Sequence, residues 1–266
     1  MIPSVKAYRQ RKNTWAKGCG GVIMLEALHL KKTFYLPKKK VLTPVLDVSF
    51  SLADGEVVGI YGCSGVGKST VASILTGRTV PDGGNVYVDG KPLYESKSVR
   101  SFRPGSTRLA LTAEARRQRA VQLIPQAPYA SLDPVQRVGN AVAEALKATG
   151  QARSAKEARA HAEELFAHVG LPAELFSRLP YALSGGQAQR VAVARALALN
   201  PSVIISDEAT SMLDVGAQAQ IVNLLLKLNE ERGLSLIFVS HDKSLLDAVT
   251  KTQYELADGV LIKRSI

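Results

Sequence analysis

Gly62-Cys63-Ser64-Gly65-Val66-Gly67-Lys68-Ser69 is the stretch on which the reading of this chain turns. It fits G-x-x-x-x-G-K-[ST] without a gap, after a continuous apolar run, Glu56 to Tyr61, and before a helix-like run, Ser69 to Leu75. The residue types follow from the chemistry of holding phosphate. Glycines let successive backbone N–H groups wrap an anion, and the helix that follows turns its positive end towards it. In that setting Lys68 reaches the β- and γ-phosphates of a nucleotide and Ser69 offers its hydroxyl to Mg²⁺. The nucleotide-contacting run is therefore expected from Gly62 to Thr70, with the Cys63 side chain filling space in the loop.

Further along the chain, Val203-Ile204-Ile205-Ser206 is an apolar strand that ends in Asp207-Glu208. At the end of a parallel strand these carboxylates face the same crevice as the phosphate loop. Asp207 is the expected Mg²⁺ partner, and Glu208 the general base that polarises the attacking water. A second anion-binding device is Leu183-Ser184-Gly185-Gly186-Gln187, placed before the helical run Ala188 to Leu199. Ser184 can cap that helix while Gly185 and Gly186 expose backbone N–H groups at its positive end.

Composition sets the limits around these motifs. The chain has 266 residues, 46% hydrophobic and 21% charged, which describes a globular protein with a sizeable core. Its formal charge of +11 suits a phosphate-rich ligand, nucleic acid or an anionic membrane, without choosing among them. Runs such as Lys38-Lys39-Lys40 and Arg116-Arg117 read as solvated surface. Cys19 and Cys63 form no disulfide framework, which points to a reducing compartment. No apolar run approaches the roughly 20 residues of a membrane-spanning helix. Residues 1–23 are basic, lack the apolar centre of a secretory signal and read as a flexible tail.

The folded part is expected to begin with the strand-like run Met24 to Leu30. Val45 to Leu52 alternates apolar and polar residues, Asp54-Gly55 marks a turn, and Pro81-Asp82-Gly83-Gly84 a second turn before a strand from Asn85 to Val88. Residues 96–119 are Arg-rich with little periodicity and read as an inserted loop running into a helix. Residues 135–200 are Ala-rich and helical, broken at Gly150, Gly170-Leu171-Pro172 and Pro180. Leu234 to Val239 is another buried strand, with a helix from Gly216 to Arg232 before it. Alternating strands and helices at both ends imply an α/β protein: a parallel sheet flanked by helices, with a helical lobe inserted into it.

Taken together, these motifs resemble the ATP-binding-cassette ATPases over residues 24 to 262. The resemblance implies a phosphate-loop NTPase core, an N-terminal antiparallel β-subdomain and an inserted α-helical subdomain at about 135–200, leaving 263–266 as the C-terminal end. It also implies further site residues. Gln126, in Gln122-Leu123-Ile124-Pro125-Gln126, matches the glutamine loop, which contacts Mg²⁺ and the attacking water. Ser211-Met212-Leu213-Asp214 matches the D-loop, and His241 the switch histidine that contacts the γ-phosphate. An aromatic residue near the N-terminus stacks on adenine, with Phe34 and Tyr35 both candidates. In this family two cassettes pair head to tail, and each ATP is clamped between one phosphate loop and Ser184 to Gln187 of the neighbour. Binding closes the pair and hydrolysis helps to open it.

Pro128-Tyr129-Ala130-Ser131-Leu132-Asp133-Pro134 resembles the ATPase subunits of importers for dipeptides, oligopeptides and nickel, where this segment faces the permease. Asp207-Glu208-Ala209 departs from the more usual proline after the glutamate and resembles nickel-importer subunits, and a chain ending soon after Gly259 without a cysteine-bearing tail leans towards the nickel or metallophore-type subunit, so the implied cargo is peptide, nickel or a metal–metallophore complex. The implied partners are two permeases, a second cassette ATPase (a heterodimer, with a homodimer open) and an extracytoplasmic solute-binding protein. The implied place is the cytoplasmic face of the membrane. The alternative is a non-transport cassette protein acting on nucleic acid or ribosomes. Such proteins carry two cassettes or a long coiled coil, and neither is present here, so no nucleic-acid partner is expected.

Overall fold

The computed structural model describes residues 23–37, 40–94, 119–208 and 215–264. Expectations for the N-terminal tail, for nearly all of the Arg-rich segment and for Ser211–Asp214 lie outside the described residues. In chain order the elements begin with β1 (Ile23–Leu36), β2 (Lys40–Ala53), β3 (Val57–Tyr61), α1 (Lys68–Leu75), β4 (Gly83–Val88), β5 (Lys91–Pro92) and β6 (Val121–Ile124). Then come α2 (Val138–Ala148), α3 (Ala155–His168), α4 (Gly185–Leu197), β7 (Val203–Asp207) and α5 (Val215–Arg232). The chain continues with β8 (Ser235–Ser240), α6 (Lys243–Val249), β9 (Thr252–Ala257) and β10 (Val260–Arg264). Two compact units divide the chain. One holds residues 23–37, 40–94 and 119–123 with 202–207 and 235–264, the other 124–201 with 208 and 215–234.

The first unit is built on a mixed sheet. The strand order among the described residues is β5-β4-β1-β2-β10-β9-β3-β8-β7-β6. β9, β3, β8 and β7 run parallel, whereas β2, β1, β4 and β5 form an antiparallel edge. β7 and β8 are buried along their whole length, as continuous apolar strands must be when both faces are covered. β2 alternates instead, burying Val48, Phe50 and Leu52 while Asp47, Ser49 and Ser51 face out. α1 packs on β7 and β8 through Val71, Ala72, Ile74 and Leu75, and α6 covers β3 and β8.

Several elements exceed the sequence expectation. β1 and β2 extend into a long hairpin that closes with Leu36 opposite Lys40. β6, α6, β9 and β10 had no distinct pattern. β9, Thr-Gln-Tyr-Glu-Leu-Ala, opens on two consecutive polar residues and becomes a strand by pairing with β3 from Val58↔Thr252 to Tyr61↔Glu255.

The second unit is helical. α2 buries Val138, Val142 and Leu146, one residue per turn on one face. α3 buries Ala158, Ala162, Leu165 and Phe166, and the Phe166 ring meets Phe176 at 5.3 Å between centroids. The breaks expected at Gly150 and Gly170 are left-handed residues ending α2 and α3, with φ of 72° and 70°. Among the described residues no helix is long and apolar enough to cross a membrane.

Candidate nucleotide-binding site

β3 ends at Tyr61 and hands the chain to the glycine loop. A Cβ on Gly62 would lie 2.5 Å from the Leu256 carbonyl oxygen of β9. Gly67 has φ +114°, and a Cβ there would lie 2.5 Å from the Pro44 carbonyl oxygen of β2. Backbone from two neighbouring strands therefore presses on the loop, and only glycine fits at these two positions. Lys68 opens α1 and is 5% exposed. Its Nζ donates to the Gly62 and Cys63 carbonyl oxygens at 2.9 and 3.0 Å. A buried ammonium is thus held at the mouth of a ring of backbone, where phosphate oxygens can take over the carbonyls' role. The far end of α1 is fastened by Tyr94, whose hydroxyl reaches the carbonyl oxygens of Thr79, at 2.8 Å, and Ile74. Burial pushes the Tyr94 phenol above its ordinary value, so it remains a donor.

Register places three sequence candidates on one edge of the sheet. Tyr61 of β3 pairs with Ser240 of β8, and Val239 of β8 pairs with Asp207 of β7. Gly62, His241 and Asp207 therefore stand at the C-terminal ends of adjacent parallel strands, where open α/β sheets bind ligands. Asp207 is 8% exposed, and His241 and Ser69 are exposed. Glu208, bonded to Asp207 and counted with the helical unit, has φ +45°. A non-glycine residue there carries backbone strain of order 1–3 kcal/mol, a feature that clusters at functional sites. The sequence carried no sign of that strain. Among the described residues no group of three or more His, Cys, Asp or Glu could hold a metal unaided. The Ser69 hydroxyl and Asp207 carboxylate are oxygen donors of the kind a magnesium ion takes, and its remaining ligands would come from phosphate and water.

The β1–β2 hairpin carries both aromatic candidates, on opposite faces because they are consecutive in a strand. Phe34 is half-buried under the Lys32 ammonium, 5.5 Å from its ring centroid. Asp82 pins this part of β1 by accepting from Lys32 Nζ at 2.9 Å and Thr33 N at 2.7 Å. These bonds hold the Asp82 carboxyl below its usual value. Tyr35 is 84% exposed.

In the helical unit, Ser184 caps α4 as expected: its hydroxyl accepts from Gln187 N at 3.3 Å, and Gln187 Oε1 accepts from Ser184 N at 3.0 Å. Gly185 and Gly186 form the first turn. Gln126 is exposed, two residues beyond the end of β6. Sequence reading had no access to the backbone walls at Pro44 and Leu256, nor to the Tyr94 anchor. Asp242, which caps α6 by accepting from Leu245 N at 3.2 Å, was findable as an aspartate before an apolar turn.

Residues 45–211 match the family described as ABC transporter. A dipeptide transport ATP-binding protein, DppF of Escherichia coli (strain K12), is 38% identical over 245 residues, covering 90% of this chain and 67% of that protein. A putative peptide import ATP-binding protein of Brucella abortus (strain 2308) is 39% identical over 223 residues, covering 84% of this chain and 63% of that protein. The chain thus spans less than two thirds of that Brucella relative. The dimeric, post-hydrolysis structure of the ATP-binding cassette MJ0796 bound to ADP and Pi superposes with a TM-score of 0.75 at 29% identity, over 91% of this chain and 98% of that one. With the glycine loop, the acidic strand end and the serine-capped helix all in place, the chain belongs to the ABC transporter family and has the fold of its ATP-binding cassettes.

Proposed function

We propose that this chain is the ATP-binding and ATP-hydrolysing subunit of an importer whose cargo is peptide. The observation that carries the reading is the alignment of the glycine loop, Asp207 and His241 on the C-terminal edge of β3, β7 and β8. The peptide cargo rests on the names of its relatives. Lys68 and the loop N–H groups of Gly62 to Thr70 hold the β- and γ-phosphates. Ser69, Asp207 and Gln126 would hold magnesium, which would supply charge to offset that of the phosphate oxygens. Glu208 accepts a proton from the water that attacks the γ-phosphorus; the bond to the bridging oxygen breaks, and ADP and phosphate leave. His241 contacts the γ-phosphate. Ser184, Gly185, Gly186 and Gln187 serve the nucleotide of a neighbouring cassette, so the active form is a pair of cassettes. Phe34 is the adenine platform, because a ring already ordered beside Lys32 loses less freedom on stacking than an exposed one. Two permeases, a second cassette ATPase and an extracytoplasmic solute-binding protein complete the system, with this chain peripheral on the cytoplasmic side of the membrane.

The test is Glu208→Gln. The variant should bind MgATP as well as the parent yet lose turnover by about 10²–10⁴-fold, the usual worth of a general base. It should also accumulate as an ATP-bound pair in light scattering, with its cognate cassette added if the pair is mixed. Hydrolysis at the parental rate removes Glu208 from its role.

A further inference from the structure

The helical unit contains a reciprocal connection between the segment after β6 and the serine-capped helix. Tyr129 lies in the 3₁₀ turn Pro128–Ser131, three residues after Gln126. Its hydroxyl donates to the Leu183 carbonyl oxygen at 2.8 Å. That carbonyl belongs to the same planar peptide unit as the Ser184 N–H, which donates to Gln187 Oε1 at 3.0 Å. The plane that sets the cap of α4 is therefore gripped at both ends, once from within the helix and once by Tyr129.

The return connection runs from α4. Gln189 is fully buried, and its Nε2 donates to the Pro125 carbonyl oxygen at 3.3 Å. That carbonyl lies in the peptide plane leading into Gln126. The other arm of the amide, Oε1, is buried without a partner in this conformation. A third bond, Arg195 Nη1 to the Ser131 carbonyl oxygen at 2.5 Å, ties the same two segments further along α4. A buried side chain retained with one arm unsatisfied costs stability, which directs attention to what its other arm holds.

We propose that Tyr129 and Gln189 are positioning residues that make the Gln126 segment and the Ser184 cap one moving part, so that a displacement of residues 125–134 turns the Leu183–Ser184 peptide. As a statement about turnover this rests on the ATPase reading above; as a statement about mechanics it does not. The step from one segment to the other is a hydrogen bond to a planar group, so it transmits orientation as well as position.

The experiment compares the parent with Tyr129→Phe, which deletes one half-exposed hydroxyl, and with Gln189→Met, which keeps length but removes the donor. Amide hydrogen exchange in Tyr129→Phe should accelerate by about fivefold, the equivalent of one hydrogen bond, in 125–134 and in 184–187 together. MgATP turnover should fall about as much, with KM unchanged within about twofold, because the nucleotide's own contacts at Gly62 to Thr70 are intact. Gln189→Met should act on the same two segments, and the double substitution should add little. Acceleration confined to 125–134, or KM rising as kcat falls, overturns the proposal even if Gln189→Met fails to fold. A parent chain that binds no MgATP sinks the ATPase reading, while the exchange comparison still decides the connection.

Discussion

The glycine loop and the serine-capped helix are both built to meet anions, and they are held in shape by opposite means. The loop is shaped from outside: Leu256 and Pro44, far from it in sequence, press their carbonyls against Gly62 and Gly67, and Lys68 is buried across its mouth. The cap is shaped from inside: Ser184 and Gln187, three residues apart, satisfy each other's backbone. A loop defined by tertiary contact is a rigid receptor. A cap closed by its own side chains stays exposed and can be presented to another molecule. The contrast explains why one device would bind nucleotide within the chain and the other would serve a neighbour.

Lys68→Ala breaks the loop side of the contrast. It removes a buried charge-assisted donor, so MgATP affinity should fall roughly 10- to 100-fold and turnover with it, measured by titration and phosphate release. Unchanged affinity would mean that the loop backbone alone holds the phosphates. Phe34→Ala should weaken ATP by about 1–3 kcal/mol, the worth of base–aromatic stacking, while Tyr35→Ala leaves affinity within about twofold. The reverse ranking would move the adenine to the other face of the hairpin. Ser184→Ala tests the cap. Thermal unfolding should register a loss of about 1 kcal/mol from the missing N-cap. Nucleotide affinity of the single cassette should hold while turnover drops, and an affinity loss matching that of Lys68→Ala would erase the distinction between the two devices. The smallest effect concerns the hairpin's anchor. The Asp82 carboxyl is held low by Lys32 and Thr33, so its stabilisation is present above the unfolded value of 3.8 and is lost as pH falls below it. The melting-temperature gap between the parent and Asp82→Asn should therefore close in acid; a gap independent of pH would deny the carboxylate that role.

Much of the fold was readable because its signals are local. β3, β7 and β8 are runs that stay apolar when buried on both faces, and α1 follows a loop whose spacing leaves few other conformations. β9 and β10 were not readable, since Thr252–Ala257 has no strong pattern and is a strand only because β3 offers it hydrogen bonds. The site divided in the same way. Lys68, Asp207 and Ser184 stood out by residue type and spacing, and His241 through its match to the family's switch histidine. Glu208 stood out as a carboxylate, but its left-handed backbone did not, because strain is stored only where surrounding structure enforces it. Tyr129 and Gln189 read as ordinary residues, since the bonds that distinguish them go to backbone carbonyls more than fifty positions away.

By itself the sequence determined the chemistry on offer: glycines that can wrap phosphate, an ammonium and a hydroxyl beside them, two carboxylates after an apolar strand, and a helix able to cap itself. Each is a property of a few neighbouring residues, and short-range sterics and hydrogen bonding suffice to specify it. The tertiary structure alone decided which strand ends share an edge, what presses the loop into shape, which aromatic ring is ordered and how the Gln126 segment is tied to Ser184. Those outcomes depend on contacts between distant positions, which form only once the apolar strands have been buried together.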